Sequence, residues 1–90
     1  MNIELDSAGK VAFAAPQQKW HKPEGDDGAL LQTARFAGQE MMAITDDAGG
    51  FELHYLNFKA DGFPSIEAAK LAAPEFAKRV LARLSDMIAN

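Results

Sequence analysis

Gly28-Ala29-Leu30-Leu31-Gln32-Thr33-Ala34-Arg35-Phe36-Ala37-Gly38-Gln39-Glu40-Met41-Met42-Ala43 can be read in two ways, and the choice decides the fold. As one helix, Leu30, Leu31, Ala34, Ala37 and Met41 recur at helical spacing among good helix formers. As strands, Ala29 to Phe36 pairs with Glu40-Met41-Met42-Ala43-Ile44-Thr45 across Gly38-Gln39. Gly38 in the middle and the turn-forming Asp27-Gly28 at the start favour strands, because both residues disfavour an unbroken helix. Two strands are the expectation; one helix over 28–43 stays the alternative.

Downstream, Phe51-Glu52-Leu53-His54-Tyr55-Leu56-Asn57-Phe58 alternates apolar with polar residues at its start. Asp46-Asp47-Ala48-Gly49-Gly50 and Lys59-Ala60-Asp61-Gly62 fence it, so it reads as one strand between turns. Upstream, Ile3 and Leu5 alternate with Glu4 and Asp6, and Val11, Phe13 and Ala15 follow the turn Ser7-Ala8-Gly9-Lys10, which predicts an N-terminal hairpin. The polar stretch from Pro16 to Gly28 has two prolines, Pro16 and Pro23, and no periodicity, and reads as a loop that carries the only tryptophan, Trp20.

The C-terminal third is helical by pattern. Phe76, Ala77, Val80, Leu81, Leu84, Met87 and Ile88 line one side of a helix, with Glu75, Lys78, Arg79, Arg83 and Asp86 on the other. Pro74 suits a first turn, and Glu75 can pair with Arg79 one turn on. Before it, Ser65 caps a short helix over 65–73 in which alanines at 68, 69, 72 and 73 permit close backbone approach, with Ile66 and Leu71 as larger contacts. Pro74 then breaks or kinks the chain near Ala73. The predicted fold is therefore α+β: a small antiparallel sheet over residues 2–58, meander plus N-terminal hairpin, covered by a kinked helix pair at 65–73 and 74–89. Its predicted core joins Phe76, Val80, Leu81 and Leu84 to Phe51, Leu53 and Tyr55.

Ninety residues, 48% hydrophobic and 24% charged, make one globular domain over 1–90. The absence of cysteine excludes disulfides, thiolate catalysis and cysteine-ligated metal clusters. Met1-Asn2-Ile3-Glu4-Leu5-Asp6 has neither the basic nor the apolar region of a signal peptide, and no later run is long and apolar enough for a membrane span, so no membrane partner and a cytoplasmic location are expected. A net charge of −4 counts against nucleic acid as the main partner.

No phosphate-binding glycine loop or serine nucleophile elbow is present, and Ser65 is accounted for as a cap. The two histidines, His21 and His54, are too far apart in sequence for a metal motif. Asp26-Asp27 and Asp46-Asp47 lack the alternating oxygens and distal Glu of a calcium loop, so solvated turns account for them better. No enzyme, cofactor or metal is expected. The acids concentrate between Glu24 and Asp61, and Lys70, Lys78, Arg79 and Arg83 make the end mildly basic. That asymmetry makes Asp26, Asp27, Asp46 and Asp47, together with Trp20, a candidate surface for a basic partner. Lys19 and Lys22 around Trp20 form the alternative, a stacking and phosphate contact for nucleic acid with the helix cations, while Trp20 as cover for the core is the plainer role.

Phe51-Glu52-Leu53-His54-Tyr55-Leu56, then Gly62-Phe63-Pro64-Ser65-Ile66-Glu67-Ala68-Ala69-Lys70-Leu71-Ala72-Ala73, resembles the strand-then-helix ending of short accessory proteins of tailed phages and prophages. The resemblance covers less than half the chain and carries no catalytic site. It implies a small non-enzymatic module that binds a host protein as a modulator or inhibitor, some acidic examples mimicking nucleic acid in charge. The element order is also similar to nucleic-acid-binding domains of the integrase-arm and double-stranded-RNA types, whose basic residues are sparse here. A protein partner is thus expected, with nucleic-acid binding as the alternative and a homo-oligomer compatible with either.

Overall fold

The computed structural model describes residues 17–25 and 27–88. Four strands, β1 (Leu31–Phe36), β2 (Gln39–Thr45), β3 (Phe51–Tyr55) and β4 (Phe58–Phe63), form an antiparallel meander in chain order, followed by one helix, α1 (Ile66–Asp86). The protein is α+β.

The stretch 28–43 is a hairpin. Ala34 and Phe36 on β1 and Met41 and Ala43 on β2 are buried at alternate positions, and the register sets Ala34 opposite Met41, so both pairs face one side. Ala37 and Gly38 have φ of 53° and 78°, two consecutive left-handed residues that close a two-residue hairpin turn and cannot belong to a helix. The turn lies one residue earlier than Gly38-Gln39.

The segment from Phe51 to Phe58 is not one strand. Leu56 and Asn57 adopt φ of 49° and 69°, the chain reverses, and Lys59-Ala60-Asp61-Gly62, expected as a turn, lies inside β4. Asparagine tolerates this conformation; leucine gives no local signal for it. Leu56 is half-buried against the core, and that packing offsets the backbone strain. The register shifts between Phe51 and Leu53, which accommodates one extra residue of β4 near Gly62, itself at φ 84°.

Under one face of the sheet run the buried side chains of Leu53, Tyr55, Met41, Ala43, Ala34 and Phe36, and α1 lays Ala69, Ala73, Ala77 and Val80 on them. A stripe of alanine lets the helix approach closely. The Tyr55 hydroxyl, buried with its ring, donates to the Phe36 carbonyl at 2.5 Å, and burial raises its pKa. Ser65 caps α1, its hydroxyl accepting from the Ala68 N–H at 3.1 Å.

The expected helix pair is one helix. Pro74 sits inside α1, and Glu75 is mid-helix, where it still pairs with Arg79 at 3.1 Å. An internal proline costs about 3 kcal/mol, but Ala73 and Ala77 are buried on either side of it, so a break there would part the stripe from Ala69 to Val80 in its middle. Two contacts expected of the helices fail: Leu71 is 84% exposed and Leu81 39% exposed. Ile66, Phe76 and Leu84 pack partly against the core, as does Phe51. The predicted N-terminal hairpin lies outside the described residues, and the described sheet runs to Phe63 rather than ending at Phe58.

Candidate functional site

Three of the acidic candidates meet at one end of the sheet. The register puts Leu31 opposite Ile44, and the Thr45 N–H donates to the Leu30 carbonyl at 3.1 Å, so the approach to β1 and the turn after β2 share that end. Asp27 Oδ1 accepts from the Ala29 N–H at 2.9 Å. Asp46 Oδ1 accepts from the N–H groups of Ala48 and Gly50, both at 2.8 Å, while the Asp46 N–H donates to the Gly50 carbonyl at 3.0 Å. A Cβ on Gly50 would stand 2.9 Å from the Phe63 carbonyl oxygen, which is why glycine occupies that place. Asp27 and Asp46 thus spend their carboxylates on their own turns, and Asp47 is left exposed. Asp26 lies outside the described residues.

Trp20 is elsewhere. Gln18 to His21 runs along the outer edge of β1: the Gln18 N–H donates to the Arg35 carbonyl, and His21 and Thr33 exchange backbone hydrogen bonds at 2.7 and 2.8 Å. His21 therefore shares the face opposite α1 with Thr33, and Trp20 turns to the core face, where its ring lies 6.0 Å from that of Phe36 at 59°. Lys19 and Lys22 are exposed on either side, without a free aromatic plane between them.

On the face opposite α1, His54 Nε2 lies 2.8 Å from Glu52 Oε1, and Lys59 Nζ lies 4.0 Å from Glu52 Oε2. Thr33 pairs with Met42 and Met42 with His54, so His21 and His54 share a row but stand three strand spacings apart, about 14 Å. They cannot chelate one ion. No group of three or more metal-ligating side chains occurs among the described residues, and no helix there is long and apolar enough to cross a membrane.

Two surface features were not read from the sequence. A helix of 21 residues is about 31 Å long, whereas strands of five to seven residues span about 17–24 Å, so α1 outruns the sheet. Val80 is its last buried residue; beyond it Leu84 is half-buried, and Met87 and Ile88, just past the helix, are 66% and 71% exposed. The second feature is a shallow apolar cavity of about 210 Å³ between β4 and α1, lined by Ala60, Ala72 and Phe76 with Glu75 and Arg79 at its rim. The signal for the first was already present, an apolar stripe longer than a short sheet can cover.

No family model matches the chain, and neither the curated proteins nor the solved structures compared with it contain a match.

Proposed function

We propose that this protein is a small non-enzymatic protein-interaction module that presents the end of α1 to a hydrophobic groove on its partner. The observation that carries the reading is the run Leu81, Leu84, Met87 and Ile88, which continues the apolar side of the helix past the last buried residue. An amphipathic helix end held out on a rigid sheet has the form used in helix-in-groove recognition, with anchors at three- and four-residue spacing. The partner's groove would be apolar with a rim complementary to Arg83 and Asp86. The resemblance of residues 51–73 to phage and prophage accessory proteins supports a host protein as the target, modulated or inhibited by that contact. Exposed Asp47 can steer the encounter but is too small a patch to supply the affinity.

The nucleic-acid alternative rested on Trp20 as a stacking platform, and the packing of that ring on Phe36 removes its main support. The test sets wild type beside Met87→Glu/Ile88→Glu in pull-downs from bacterial lysate. Salt-titrated binding to single- and double-stranded DNA and RNA is measured in parallel. A specific protein retained by wild type and released by the double variant, with the circular dichroism spectrum unchanged, is the expected result. Micromolar nucleic-acid binding that falls steeply with salt and disappears in Lys19→Ala/Lys22→Ala would overturn the reading.

A further inference from the structure

The two outer edges of the sheet differ. Gln18 to His21 occupies the edge of β1 with three backbone hydrogen bonds, whereas the outer edge of β4 meets no strand among the described residues. Tyr55 and Phe58 face each other across the two-residue turn and so are bonded to one another; by antiparallel alternation the N–H and C=O groups of Lys59 and Asp61 then point outward. Such groups form a template for another strand.

We propose that this edge takes a second copy of the chain, β4 pairing antiparallel with β4 about a two-fold axis through Ala60. The charges select the partner and the register. Lys59 and Asp61 lie on one face of β4, Nζ to Oδ2 3.8 Å, with Ala60 between them. Pairing about Ala60 sets Lys59 of each copy opposite Asp61 of the other, and these are also the residues whose backbone groups point outward, so charge and hydrogen bonding agree on a single alignment. Centring the pair on Lys59 or on Asp61 instead puts like charges face to face. Ala60 faces the core side, where it lines the cavity beneath Ala72 and Phe76. The same axis therefore brings the two cavities together, each with room for about one aromatic ring, and lays the Phe76 sides of the two helices alongside each other. The irregularity at Gly62 limits the paired run to a few residues, which makes the association reversible and concentration-dependent. The result is one eight-stranded sheet with both helices on one face, and it does not depend on what the end of α1 binds.

Sedimentation equilibrium over a micromolar to millimolar range tests it. Wild type should show a monomer–dimer equilibrium. Asp61→Lys, at an exposed position, should weaken it about tenfold by turning two attractive pairs into two repulsive ones, and the exchange Lys59→Asp/Asp61→Lys should restore it. Unchanged circular dichroism keeps folding out of the comparison. A monomer throughout the range would overturn the proposal and leave the edge to an extended peptide from another protein or to this chain's own first sixteen residues. A dimer indifferent to Asp61→Lys, or one that the exchange does not restore, would equally overturn it by placing the contact on another surface.

Discussion

Replacing Leu53 by alanine tests the account of the core at its centre. Leu53 is fully buried on β3, and the residues paired beside it, Ala43 on β2 and Ala60 on β4, are both alanines. Three lost carbons forfeit about 2.4 kcal/mol of transfer free energy. Short neighbours have no flexible side chain to swing into the space, so a cavity term raises the expected loss to about 3–4 kcal/mol. A domain of this size is stable by about 5–13 kcal/mol, so the midpoint of thermal unfolding should fall by about 12–30 °C. Urea unfolding followed by Trp20 fluorescence suits the measurement, because that ring packs on Phe36 and reports the sheet's core face. The midpoint should drop with the slope unchanged. Leu81→Ala is the counterpart: at 39% exposure it should cost less than about 1 kcal/mol. A loss below about 1 kcal/mol for Leu53, or a larger loss for Leu81 than for Leu53, would refute the assignment of the core.

Ala73→Leu should destabilise by about 1–3 kcal/mol in chemical denaturation, since the fully buried alanine stripe holds the helix close to the sheet, while Leu71→Ala should stay within about 0.5 kcal/mol. Ala37→Asn should raise stability by about 0.5–1 kcal/mol, seen as a higher midpoint, because φ of 53° at an exposed turn residue suits asparagine better than alanine. Tyr55 has a folded-state pKa raised by burial, so its contribution is complete below the unfolded value of about 10 and is lost as pH rises from there through the folded value. The stability difference between wild type and Tyr55→Phe should therefore narrow in alkaline titration and stay level between pH 6 and about 9.

The first hairpin was legible because turn-forming residues, Asp27-Gly28 and Gly38, leave a mark in sequence, and the structure adds the alternate burial that the sequence did not display. Ala34 and Phe36, then Met41 and Ala43, alternate cleanly, and Gly38 marks the turn between them. The second hairpin left no such mark at Leu56, whose left-handed backbone is tolerated only because its side chain packs on the core. Among the candidate site residues, Asp27 and Asp46 were recognisable as turn formers from their neighbours, and the hydrogen bonds they accept are local ones of the kind sequence can foretell. Trp20 was not assignable, since its choice between core, partner and base depends on Gln18–His21 joining the edge of β1, a pairing across a dozen or more residues.

The sequence by itself favoured the α+β class, and it determined the cap at Ser65, the Glu75–Arg79 pair and the amphipathic period of the last third, because each of these three follows from residues within about one turn of one another. Only the tertiary structure decided that α1 runs through Pro74, that Leu71 and Leu81 face solvent, and that β4 is an edge strand among the described residues, beside an apolar cavity. The reason is the same in each case. Local preference for breaking at proline amounts to about 3 kcal/mol, and only the burial of the whole stripe, Ala69, Ala73, Ala77 and Val80, against a sheet built from distant residues is large enough to override it. Periodicity shows that a helix has an apolar side, but the sheet's dimensions settle how much of that side is covered and where it is left bare.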